Sequence, residues 1–353
     1  MCGLRNRLTH CEFVDYISVF DVLVFVETKT DNIDTDIITD KCLELGYVIK
    51  ITNRQHITHS RSGGIAVAVK ASLAHYVTFL PQSNECILCA VFSKAFTGYD
   101  KDLLLGAVYV PPEGTAYSSV DLFDNIEMAL EDVKSKMDDS YTLIIGDLNA
   151  YTTCMSDFID IDINDIINGV NAVHLTIDNV ECDQATTERR SQDEHRPNNY
   201  GYRLLDLCKA HSIYIMNGRV GSDAGIGKCT CNGCSLVDYM ISSSFLLSKV
   251  QQFSVEPFDA LFSDVHCPLQ LSLEIQSKQF IQLMNENDKK SNEEQNQDKK
   301  SKIRRFDISL LDHFVSHVAE HNLDIIEQSI LRDDVTVDDV NNEIVNVLTN
   351  SAR

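Results

Sequence analysis

Short runs of β-branched and other apolar residues recur along this chain up to about Ile275, and they constrain the fold more than any other feature. DVLVFV from Asp21 to Val26 is such a run: too short for a buried helix, apolar throughout, and closed by Glu27, it reads as a strand covered on both faces. GIAVAVK, ECILCAVF, LLLGAVYV and TLIIG read the same way, with glycine, proline or charged residues between them. Further strands fit SIYIM, SLVDYMIS, QQFSVEPF and PLQLSLEI. Helical spacing is rarer. It occurs in DLFDNIEMALEDVKSK, from Asp121 to Lys136, and from Gly201 to Ala210. Strands outnumber helices and many gaps are of hairpin length, so the pattern predicts an α/β fold with two packed mixed sheets flanked by helices.

Beyond Ile275 the composition changes. Residues 276–303 include NENDKKSNEEQNQDKKSK, which has too few apolar side chains to order itself and is expected to be a polar linker. Residues 304–353 regain helical spacing of Leu, Val and Ile and are expected to form a helical extension without a domain-sized core. The main domain is therefore placed at residues 1–275. No stretch approaches the ~20 apolar residues of a membrane span, and the start MCGLRNRLTHCEF lacks a signal peptide's apolar block, so a soluble, intracellular protein is expected, with no membrane partner.

The twelve cysteines lie scattered through apolar runs and read as buried reduced thiols. Cys229, Cys231 and Cys234 are close in sequence, but their loop holds no fourth cysteine or histidine, and zinc is not predicted. A net charge of −23 means that any contact with nucleic acid must be local. Arg189, Arg190, Arg196 and the run from Lys299 to Arg305 are the basic candidates, each equally readable as a solvated loop.

Polar residues suited to chemistry stand where the apolar strands stop. Glu27 follows DVLVFV directly. Asp147 and Asn149 follow TLIIG two residues apart; a carboxylate there can deprotonate water and an amide can donate to a developing negative oxygen, although the same pair can also make an ordinary turn. Tyr109 precedes two prolines that end its strand. Asp238 interrupts the apolar run SLVDYMIS and would be costly to bury alone, and His266, just before the last strand, is a partner that would explain it.

In order along the chain, FVETK, SGGIAVAVK, LLLGAVYVPP, IIGDLNA, SLVDYM and SDVHCPL resemble the endonuclease/exonuclease/phosphatase superfamily from about Gly3 to Leu273. ERRSQD and YGYRLLDLCKAHSIYIMNGR look like the endonuclease domain of non-LTR (LINE-type) retrotransposons. This resemblance implies a four-layered α/β sandwich with a phosphate-binding pocket that uses Mg2+ or Mn2+. It makes Glu27 a metal ligand, Asp147 the group that prepares water, Asn149 and Tyr109 contacts to the reacting phosphate, and His266, oriented by Asp238, a contact to the phosphoryl oxygens. Asp264 is carried over as a second metal ligand, displaced by Val265 from the family's adjacent Asp and His; in a regular strand that displacement turns its side chain to the opposite face. The family's first strand bears an asparagine before the segment matching CGLRN, so that strand is expected to be missing here, leaving an open sheet edge.

The function implied is metal-dependent nicking of DNA, with the nucleus as location if the DNA is chromosomal and no protein partner predicted. The alternatives are another phosphoester, such as RNA or a small molecule, or an inactive relic. No polymerase motif is present, so reverse transcription is not assigned.

Overall fold

The computed structural model describes residues 3–54, 62–118, 121–137, 139–159 and 188–275. The expected linker 276–303, the extension 304–353 and the basic run from Lys299 to Arg305 lie outside the described residues.

Among the described residues eleven strands carry the architecture: β1 (Val22–Val26), β2 (Tyr47–Thr52), β3 (Ile65–Lys70), β4 (Val77–Phe79), β5 (Ile87–Phe92), β6 (Asp102–Tyr109), β7 (Ser140–Asp147), β8 (Ile213–Ile215), β9 (Asp238–Ser243), β10 (Val250–Val255) and β11 (Leu269–Leu273). One sheet has six strands in the order β4-β5-β6-β7-β9-β8, and it is mixed because β6 and β7 run parallel. The other strands form a three-stranded sheet, β1-β3-β2, and a two-stranded one, β10-β11. Both of these are antiparallel throughout, so of the two sheet layers only the six-stranded one is mixed.

Side-chain alternation sorts the apolar residues into three cores that separate four layers. On β5, Ile87, Cys89 and Val91 point toward the helices Leu122–Lys136 and Asn199–His211. Leu88, Ala90 and Phe92 point the other way, into the core between the sheets. On β3, Ile65, Val67 and Val69 enter that same inter-sheet core, while Ala66 and Ala68 face the helices Cys11–Ile17 and Asn32–Glu44 through Phe13, Ile17, Ile38 and Cys42. The order helix, sheet, sheet, helix is the sandwich expected from the sequence. Strand β3 is buried on both faces, which accounts for its unbroken apolar run.

The expected helix at Asp121–Lys136 forms as Leu122–Lys136, and the one expected at Gly201–Ala210 extends to Asn199–His211. No helix among the described residues is long and apolar enough to cross a membrane.

Candidate active site

Three neighbouring strands of the large sheet end on one rung. Tyr109 of β6 pairs with Asp147 of β7, and Asp147 pairs with Asp238 of β9. Partners across a ladder point to the same side, so the phenol and both carboxylates emerge together at the rim. Gly146 permits this rung: a Cβ there would lie 1.8 Å from the carbonyl oxygen of Val108. Beyond the rung the chain turns, with Asn149 at φ 46° in the left-handed region. Glu27, just past β1, has φ 53°. Non-glycine residues seldom hold such angles, and two of them beside one cleft mark positions fixed by their surroundings.

The turn reading and the chemical reading of Asp147 coexist. Its Oδ1 accepts the backbone N–H of Asn149 at 3.0 Å, while Oδ2 faces His266 Nε2 at 3.9 Å. Asn149 Nδ2 donates to Val110 O at 2.8 Å, leaving its second amide hydrogen for another acceptor. His266 Nδ1 lies 2.8 Å from Asp238 Oδ2, the partnership expected for an aspartate set in an apolar strand.

Burial sets the electrostatics. Asp147 is only 4% exposed, and burial first, then the charge of Asp238, drives its carboxyl well above the usual carboxylate range; His266 and the Asn149 amide pull it back. Burial also disfavours a charged imidazole, but hydrogen bonds with Asp238 and Cys231 and the charges of Asp238 and Asp147 outweigh it, and His266 is pushed up to about 11. Tyr109 is raised above the ordinary phenol range by burial, then by the charges of Glu27 and Asp147.

Glu27, Tyr109, Asp147, Asn149, Asp238, Asp264 and His266 are all among the residues that line one large cavity, and of these Asp147, Asp238 and His266 stand closest together. Asp264 stands on its outer side, 3.8 Å from Arg7 NH2 and 40% exposed. Asp147, Asp238 and His266 each offer a ligand atom within 4.8 Å of the others, a possible acidic and histidine metal site. Of the basic candidates, Arg189 is corrected: it is buried, and its guanidinium donates to Thr152 Oγ1 at 2.7 Å, which removes it from any nucleic-acid surface. Arg190 and Arg196 are exposed.

Sequence reasoning missed the supports. Thr230 Oγ1 accepts the N–H groups of Val237 and Asp238, each at 3.1 Å, and so fixes the start of β9. Asn198 caps the helix Asn199–His211 through the Gly201 N–H and also donates to Asn149 O at 2.9 Å. An asparagine just before a predicted helix is a recognisable cap; its second bond, to a residue 49 positions away, has no local signal.

Paired acids and a histidine at the strand ends of a layered α/β sandwich define a hydrolase-type site. The chain matches the Endonuclease/Exonuclease/phosphatase family over residues 2–264 and belongs to that family, whose members are hydrolytic nucleases and phosphatases. None of the curated proteins matches it. Among solved structures it is similar to an AP endonuclease, LMAP, from Leishmania major, at 16% identity and a TM-score of 0.51, covering 77% of this chain and 85% of that one. A 3' phosphatase, NExo, from Neisseria bound to a product DNA hairpin shows 14% identity and a TM-score of 0.49, with 77% and 95% covered. The endonuclease domain of TRAS1, a telomere-specific non-LTR retrotransposon, shows 12% and 0.45, with 77% and 93% covered.

Proposed function

We propose that this protein is a divalent-metal-dependent phosphodiesterase that nicks DNA, related to the endonucleases of non-LTR retrotransposons. The observation that carries the reading is the rung Tyr109, Asp147, Asp238 with His266 closed over it. Family membership supplies the reaction class; the retrotransposon-like motifs ERRSQD and YGYRLLDLCKAHSIYIMNGR favour DNA.

In this reading Asp147 takes the proton from the attacking water. Burial and the charge of Asp238 raise its affinity for a proton, which favours its accepting one from water. His266, held protonated by Asp238, contacts the phosphoryl oxygens, and Asn149 directs its free amide hydrogen to the same group. Tyr109, on the same rung, contacts the phosphate in this reading.

The donors fit Mg2+ or Mn2+. Buried Asp147 beside Asp238 is destabilised by like charge, which a cation relieves, and Glu27 supplies a third carboxylate close enough to act on Asp147. Asp264 completes the set if its carboxylate leaves Arg7. The ion, when bound, would neutralise charge on the phosphate and leaving oxygen.

The test is incubation of the purified chain with supercoiled plasmid and Mg2+ or Mn2+, with and without chelator. Metal-dependent open circles are expected. No nicking with either metal would favour the inactive relic, and cleavage confined to RNA or small phosphoesters would favour another substrate of the same chemistry.

A further inference from the structure

Glu127, Glu131 and His211 form a second group of metal-competent side chains, and none of them lines the active-site cavity. Glu127 and Glu131 stand four residues apart in the helix Leu122–Lys136, so their side chains share a face. His211 is the last residue of the helix Asn199–His211. Ile126 and Leu130 of the first helix and Leu204 and Cys208 of the second belong to one buried core, which fixes the backbone beneath all three donors. One ligand atom from each of the three lies within 4.8 Å of the others.

The imidazole is the member that points to a ligand. The His211 side chain is only 10% exposed, and its Nε2, closed off from water, makes no hydrogen bond among the described residues. A buried polar atom left in that state is costly. Nε2 faces Glu127 Oε1 across 3.4 Å, longer than the usual ~2.7–3.2 Å of a hydrogen bond. That separation suits two ligands of one ion, since tetrahedral Zn2+ with bonds of about 2.05 Å sets its ligand atoms roughly 3.35 Å apart. Glu131 is exposed, and a change of rotamer brings its carboxylate to the third corner.

Lys134 bears on the other ring nitrogen. Its Nζ stands 3.5 Å from His211 Nδ1. An ion on Nε2 leaves the ring proton on Nδ1, and an ammonium group has no lone pair to accept it. Lys134 therefore opposes binding and has to swing aside when the ion enters. Two carboxylates balance the charge of a divalent ion, so the lysine weakens the site without cancelling it.

We propose that Glu127, Glu131 and His211 bind one Zn2+ ion, with water in the fourth position. One imidazole and two carboxylates suit Zn2+ better than Mg2+, which takes oxygen ligands. The ion staples the C-terminal end of the helix Asn199–His211 to the helix Leu122–Lys136. At the opposite end of Asn199–His211 the cap Asn198 donates to Asn149 O, so the staple steadies an element that supports the active site.

The probe is Zn2+ itself, titrated calorimetrically into the reduced full chain in saturating Mg2+, which keeps the active-site carboxylates occupied. The parent is compared with Glu131→Gln, His211→Gln and Lys134→Gln; zinc taken by the cysteines at 229, 231 and 234 is common to all four proteins and cancels. Glu131→Gln and His211→Gln should each weaken one equivalent of Zn2+ by roughly tenfold or more, and Lys134→Gln should tighten the same equivalent. Zn2+ should also raise the Tm of the parent more than that of Glu131→Gln. Glu131 is exposed, so its variant keeps the fold, which equal Tm values without zinc verify. Three results overturn the proposal. A parent that takes up no Zn2+ has no such site, and a Glu131→Gln chain that binds like the parent holds its zinc elsewhere. Lys134→Gln binding no more tightly than the parent would place the ion away from the imidazole.

Discussion

Replacing Asp147 with asparagine separates chemistry from architecture because the structure assigns the two carboxylate oxygens different work. Oδ1 accepts the Asn149 N–H at 3.0 Å, and an asparagine Oδ1 in the same place keeps that bond and the turn. Oδ2 faces His266 Nε2 at 3.9 Å and becomes an amide nitrogen. The lost attraction is about 4 kcal/mol for unit charges at that distance in an effective dielectric near 20. Against it stands the relief of no longer burying a carboxylate beside Asp238, itself worth several kcal/mol. The two effects oppose and are of similar size, so Asp147→Asn should leave Tm within a few degrees of the parent. The chemical step has no such compensation. Loss of the proton acceptor should slow metal-dependent nicking by a factor on the order of 10² to 10⁴, equivalent to roughly 3–5 kcal/mol in the barrier. Nicking rate, DNA affinity and Tm measured for both proteins give the answer. A variant that nicks within about threefold of the parent would refute a proton-transfer role, and one that unfolds would show that the charge of Asp147 facing His266 is needed for the fold.

Asp238→Asn and His266→Ala act on one hydrogen-bonded pair at 2.8 Å, so the double variant should nick no more slowly than the worse single one; additive losses in the double-mutant cycle would show independent roles. Gly146→Ala forces a methyl to 1.8 Å from Val108 O and should separate β6 from β7, seen as faster amide exchange at Val108 and Asp147 together with lost nicking; unchanged exchange would contradict the packing. His211, beside Lys134 and Glu127, has its pKa lowered by burial first and then by Lys134. A histidine with a depressed folded pKa contributes stability above the unfolded value near 6.5 and loses it as pH falls through the folded one. His211→Gln should therefore flatten the fall of Tm below about pH 6.5, and an unchanged acid limb would rule that linkage out.

The fold was legible where burial is two-sided or helical spacing is clean, and less so elsewhere. IAVAV in β3 signals its own burial, and DLFDNIEMALEDVKSK its own helix. The helix Asn32–Glu44 escapes such reading because Ile33 is 73% exposed and Leu43 62%, while Asp34 is buried and paired with Arg5. Its apolar residues do not mark its buried face; its clearest signal is the Asp31 cap, which accepts two backbone N–H groups at 2.9 Å. Arg189 failed for a related reason: an arginine in a charged segment looks solvated until its partner Thr152, 37 residues away, is known. At the active site the residue types were readable because each polar group stands at or just beyond one end of an apolar strand. The rung that aligns Tyr109, Asp147 and Asp238 was not, because register between strands depends on pairing rather than on any single run. Residue identity thus nominates a site, while register decides whether its members meet. Here the deciding contact is a close approach of β6 and β7 that only a glycine at position 146 allows.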